Sequence, residues 1–171
     1  VLSLFMSADG SRIVSGSEDK TIKVWDFSLG LCLQTLANHS ERVTSVCVSA
    51  DGNRIVSGSD DNTIKVWDTA SGECLHTSSG HPKDVLSVCI SADGSRIMSG
   101  SLDKTVKIWD ATSGECPQIY AGHSKGVFTM FISLDGSRRI VSVSTDGSIK
   151  VWDASTGECL LTFGHNKWVL S

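Results

Sequence analysis

Serine, histidine and aspartate, the residue types of nucleophilic acyl transfer, return together along this chain at a fixed interval. His39, His81, His123 and His165 stand 42 residues apart. A serine with an aspartate four positions on recurs at Ser15 and Asp19, Ser57 and Asp61, Ser99 and Asp103, and Ser142 and Asp146. A hydrolase needs a hydroxyl nucleophile, an imidazole base and a carboxylate that orients the base, but such a site is built once. A set that returns with every repeat points to a structural part. Metal chemistry has no better footing, because no Cys-x-x-Cys or His-x-x-x-His pair occurs. No metal and no cofactor is expected. His76 alone falls outside the pattern and suits a solvated strand position.

The elements that position these residues are short strands. Residues 54–68, Arg-Ile-Val-Ser-Gly-Ser-Asp-Asp-Asn-Thr-Ile-Lys-Val-Trp-Asp, read as two strands rich in β-branched residues around a small polar turn. The hairpin recurs at 12–26, 96–110 and 139–153, and its Trp-Asp endings at 25–26, 67–68, 109–110 and 152–153 set a period of 42, 42 and 43 residues. A strand precedes each hairpin at 1–7, 43–49, 85–91 and 127–133, followed by Asp-Gly at 9–10, 51–52, 93–94 and 135–136, a strong turn signal. A fourth strand begins at Cys32, Cys74, Cys116 and Cys159 and is interrupted by Pro117 and Gln118 in the third copy, as an edge strand tolerates. Four antiparallel strands per unit, repeated at about 40 residues, make small sheets that must stack to bury a core.

The order Gly-His, Asp-Gly, Ser-Gly-Ser-x-Asp and Trp-Asp, in four in-register copies over essentially the whole chain, resembles the WD-repeat family. The resemblance implies an all-β β-propeller of four-stranded antiparallel blades, four per chain. The blades are expected at about 1–37, 43–79, 85–121 and 127–163, with 164–171 opening a further repeat. It also implies a hydrogen-bonded set in each blade: His39, Ser57, Asp61 and Trp67; His81, Ser99, Asp103 and Trp109; His123, Ser142, Asp146 and Trp152. Burying an indole N–H, an imidazole and a carboxylate requires that each find a partner, and such a set satisfies all three. The first copy has Ser15, Asp19 and Trp25 without a histidine, and His165 has no serine, aspartate and tryptophan after it.

Composition excludes several partners. With 15 Lys plus Arg among 171 residues and a formal charge of −4, the chain has no basic face for nucleic acid. No apolar run reaches the roughly 18 residues needed to cross a bilayer, and the N-terminus carries no secretory signal pattern. The six cysteines fall on two repeat positions, one repeat apart in space and beyond the reach of a disulfide. They read as buried small hydrophobes of a cytoplasmic, reducing compartment.

Family rings usually close with more than four blades, so four leave two apolar faces in water. Either the chain is part of a longer repeat protein, or two copies join as a homodimer into an eight-bladed ring, where His165 of one copy completes Ser15, Asp19 and Trp25 of the other. Function is expected at the rim, where residues vary on a repeated frame. Those residues are Glu18, Asp60, Leu102 and Thr145 between the second and third strands, and Arg42, Lys83, Lys125, Lys167 and Trp168 ahead of each first strand. The reading is a non-catalytic scaffold or recognition module for a protein or peptide, within a larger signalling or sensor protein. A purely structural oligomerisation module and a propeller enzyme with a channel site are the alternatives.

Overall fold

A computed structural model describes residues 1–133 and 139–164. It contains sixteen strands among these residues, in four sheets of four, with no helix. The first sheet is β1 (Ser3–Met6), β2 (Arg12–Gly16), β3 (Thr21–Asp26) and β4 (Cys32–Ala37). The second is β5 (Val43–Val48), β6 (Arg54–Ser59), β7 (Thr63–Asp68) and β8 (Cys74–Ser79). The third is β9 (Val85–Ile90), β10 (Arg96–Ser101), β11 (Thr105–Asp110) and β12 (Gln118–Ala121). The fourth is β13 (Val127–Ile132), β14 (Arg139–Ser144), β15 (Ser148–Asp153) and β16 (Cys159–Gly164). Strands follow chain order in every sheet and pair antiparallel. Pro117 delays the outer strand of the third sheet, but Gln118 pairs with Ile108 inside it, correcting the expectation that both residues break it.

Turn chemistry explains the hairpins. Asp51 Oδ1 accepts the Ser49 hydroxyl at 2.5 Å and the Asn53 N–H at 3.0 Å, closing a turn in which Gly52 takes a φ of 73°. That left-handed conformation costs a glycine little.

The sheets stack face to face through three apolar junctions. Val14, Ile22, Val24 and Leu36 of the first sheet pack on Val43, Val46, Val48, Ile55 and Trp67 of the second. The second and third junctions repeat this at Trp109 and Trp152. Close approach depends on glycine in the second strand of each sheet. A Cβ at Gly16, Gly58 or Gly100 would lie 2.7–2.8 Å from a Cγ1 of Val43, Val85 or Val127 in the next sheet. The fourth sheet carries Val143 at this position.

Among the described residues, the leading face of the first sheet and the trailing face of the fourth have no such cover. Trp25 is half-buried where Trp67, Trp109 and Trp152 are 2 % exposed, and the Lys23 ammonium sits 5.8 Å over its ring. On the fourth sheet Leu161 and Phe163 are exposed, with Val141, Ile149 and Val151 half-buried. The same contrast corrects the expectation for the cysteines. All six are free and Cys47 is buried, yet Cys32 and Cys159 are exposed. Cys74 and Cys116 are half-buried because they pack against the first and second core clusters, a contact that the described residues give neither Cys32 nor Cys159.

Candidate functional site

Two clusters of chemically capable side chains emerge, one inside the sheets and one at their rim. Inside the second sheet, His39 Nε2 lies 2.7 Å from Ser57 Oγ, and Trp67 Nε1 donates to the same oxygen at 2.9 Å. His39 Nδ1 lies 2.8 Å from Asp61 Oδ2, which also accepts the Ser40 N–H at 3.0 Å. The proton directions follow. Ser57 Oγ accepts from the indole, and with a carboxylate at Nδ1 an imidazole that donates there can take the Ser57 hydroxyl hydrogen at Nε2. Burial pushes the Asp61 carboxyl up, but the His39 and Thr63 hydrogen bonds outweigh it and hold the group well below the usual carboxylate range. The third sheet repeats the set with distances of 2.7, 2.8 and 2.6 Å for His81–Ser99, Trp109–Ser99 and His81–Asp103. Burial lowers the His81 pKa in spite of Asp103.

The fourth sheet departs from this pattern. His123 Nε2 and Trp152 Nε1 converge on Ser142 Oγ at 2.7 and 2.8 Å. His123 Nδ1, however, meets Ser148 Oγ at 2.9 Å and stands 3.5 Å from Asp146 Oδ2. Ser148 occupies the position of Thr63 and Thr105, and its hydroxyl bridges the imidazole to Asp146, 2.6 Å away. In the first sheet Trp25 Nε1 donates to Ser15 at 2.9 Å, while Asp19 caps the turn through Thr21. His165 lies outside the described residues, as do Lys167 and Trp168.

The atoms of these sets match those of a hydrolytic triad, but Ser57, Ser99 and Ser142 are fully buried. A substrate carbonyl has no approach to those three hydroxyls, so the chemistry available to them is mutual hydrogen bonding.

At the rim the repeated frame consists of main-chain bonds. Asp60 N donates to Arg42 O, Leu102 N to Asp84 O and Thr145 N to Gly126 O at 3.0–3.1 Å. Ser59, Ser101 and Ser144 hydroxyls donate to the carbonyls of Glu41, Lys83 and Lys125 at 3.1–3.2 Å. On this frame Arg42 Nε and Nη2 both reach Asp60 Oδ2, at 2.6 and 2.5 Å.

Arg42, Asp60 and Leu102 come together on a cavity of about 390 Å³ whose other walls are Leu2, Thr44, Asp84, Leu86 and Phe128. Glu18, Lys83, Lys125 and Thr145 stand on the rim outside it. The walls that sequence reasoning missed share one register. Thr44, Leu86 and Phe128 are the residues skipped where the inner-strand pairings shift. A bulge of this kind re-aims one side chain. The available signal was the change Leu, Thr, Leu, Phe at positions 2, 44, 86 and 128, within strands that otherwise repeat.

Comparison with known proteins agrees with this architecture. A 43-residue stretch, 25 % of the chain, is 42 % identical to coatomer subunit beta'-2 of Arabidopsis thaliana, of which it covers 5 %. The model of the WD40 family, described as WD domain, G-beta repeat, matches residues 1–26, 30–68, 72–110 and 114–153. Four matched repeats, each ending on the Trp-Asp of one four-stranded sheet, mean that the chain belongs to the WD40 repeat family.

Proposed function

We propose that the chain is a non-catalytic protein-interaction scaffold that holds a protein or peptide partner at the rim cavity, within a larger cytoplasmic signalling or sensor protein. WD40 repeats imply a scaffold role in general. The observation that carries the rim reading is the combination of an invariant main-chain frame with side chains that change from sheet to sheet. Arg42, Asp84 and Gly126 occupy one position of that frame, and Asp60, Leu102 and Thr145 the other. The exposed residues among them are not needed to hold the sheets together, and partly exposed apolar side chains such as Leu102 and Phe128 anchor interfaces. Six free thiols fit a reducing compartment.

The test is peptide selection on the wild-type chain, followed by the variants Leu102→Asp and Arg42→Glu. Leu102→Asp should abolish capture of the selected peptides and Arg42→Glu, which reverses a charge at the mouth, should change it, both leaving the urea midpoint in place. Peptides that bind both variants as well as wild type overturn the rim as the docking surface.

A second reading, pairing of two copies, is favoured by the leading face of the first sheet. An apolar cavity of about 430 Å³ there is lined by Val1, Leu4, Ile13 and Trp25, the repeat counterparts of Val43, Val46, Ile55 and Trp67. What fills that place at the first junction is Val14, Ile22, Val24 and Leu36, whose counterparts on the fourth sheet are Val141, Ile149, Val151 and Phe163. The seam would be wider than the internal ones, because Val143 replaces the close-packing glycine. Sedimentation at micromolar concentration should give the mass of a dimer; the mass of one chain rules the pairing out.

A further inference from the structure

The rim cavity is closed by charge on one side and left open on the other. At one position of the frame the second sheet has Arg42 facing Asp60, joined side chain to side chain. At the same position the third sheet has Asp84 facing Leu102, joined through the main chain. The fourth sheet has Gly126, and Leu102 leans into the space this leaves, its Cδ2 2.7 Å from where a Cβ would stand. Asp84 is half-buried, and among the described residues its carboxylate has no hydrogen-bond or ion-pair partner. The charged residues lining the mouth are the two carboxylates Asp60 and Asp84 and the single guanidinium of Arg42, which Asp60 already engages, so the lining carries one negative charge in surplus. The walls beside Asp84 are Leu86, Leu102 and Phe128, which offer no polar side-chain group.

We propose that this mouth binds one basic side chain, arginine or lysine, of an extended partner segment. Its charged end rests on Asp84 and its aliphatic stem on Leu86, Leu102 and Phe128. A long cationic side chain is the residue type that matches both halves of the cavity, since its stem covers apolar surface while its head takes a carboxylate. The proposal rests on the reading of the rim as the docking surface and specifies what that surface reads.

The test is a titration of the 171-residue chain, carrying labelled leucine methyls, with N-acetyl-arginine-N-methylamide and with its citrulline analogue, uncharged and of the same shape. The arginine probe should shift the Leu86 and Leu102 signals and the citrulline probe should not. Asp84→Asn should weaken the arginine probe at least about tenfold, the scale of one charge-assisted hydrogen bond. Going from about 0.01 M to about 1 M salt should weaken it in the wild-type chain as well, because the screening length falls from about 30 Å to about 3 Å. Equal response to both probes, no response to either, or arginine binding untouched by both Asp84→Asn and salt overturns the proposal. Leucine shifts that follow protein concentration without any probe assign the mouth to a second copy of the chain and overturn it too. If Leu102→Asp and Arg42→Glu alter peptide capture but Asp84→Asn does not, the basic side chain falls and the rim stands. If arginine binds at Asp84 while the selected peptides ignore the rim, the rim reading falls by itself.

Discussion

The interior of the second sheet and its rim are built from similar polar groups put to opposite use. His39, Ser57, Asp61 and Trp67 turn toward one another, and the closed set leaves nothing for a ligand. A few residues away the Arg42–Asp60 pair is exposed on the arginine side and faces a cavity shared with Asp84. The difference lies in satisfaction. A buried polar group is costly unless every partner is present, whereas an exposed one exchanges its partner for water at little cost. Repetition is therefore strict inside and loose outside.

Removing the shared hydroxyl tests the inner half most severely. Ser57→Ala leaves the Trp67 indole N–H and His39 Nε2 without their partner and should cost about 2–4 kcal/mol, read from urea denaturation. Ser15→Ala, which deprives only the half-buried Trp25, should cost about 1 kcal/mol or less. Equal losses would break the distinction between a closed set and an open one.

The next contrast is between sheets. Asp61→Asn removes a carboxylate bonded directly to His39, while Asp146→Asn removes one that reaches His123 through Ser148. The first should be the more damaging by about 1 kcal/mol, measured in the same way. The order should reverse in neither urea nor heat.

A smaller effect should come from pH. Burial lowers the folded pKa of His81 and His123 below 6.5, so the unfolded chain takes up protons that the folded chain refuses. Their contribution is complete above pH 6.5 and is lost as the pH falls below it. For Asp61, Asp103 and Asp146 burial raises the pKa, but hydrogen bonds to neighbouring side chains and main-chain N–H groups carry it below 3.8. Their contribution is complete above that value and is lost on further acidification. The urea midpoint should thus decline in two stages, and a midpoint constant from pH 7 to pH 5 would remove the histidines from the account.

The rim should respond least. Arg42→Ala should leave the urea midpoint unchanged, because an exposed ion pair contributes little to folding, while changing peptide capture. A clear loss of stability would place Arg42 with the inner set and erase the contrast.

Most of the architecture was legible because turn residues repeat with the strands. Asp51-Gly52 and its copies, with the Trp-Asp endings, mark where each strand stops. The inner sets were legible only through family resemblance, since nothing local ties His39 to Ser57 eighteen residues on. Two things escaped. Ser148 has the same short polar character as Thr63, and only the three-dimensional geometry shows that its hydroxyl intercepts His123. Thr44, Leu86 and Phe128 sit in strands whose alternation suggests core, and the only mark of the bulge that turns them toward the mouth is that their residue type varies where the neighbouring positions repeat. The exposure of Cys32 escaped for a different reason. It depends on which sheet lies next door, whereas the pattern of one unit is blind to its neighbours.

Val143 has a consequence for how such an array can lengthen. A gene segment encoding the second or third unit can be copied and spliced between its neighbours, because Gly58 and Gly100 admit the valine of whatever unit follows. The fourth unit, spliced into the same place, would set the Val143 side chain where the following inner strand must pass. A copy of the fourth unit could enter only with a wider seam behind it, so close-packed growth by duplication draws on the units that carry the glycine.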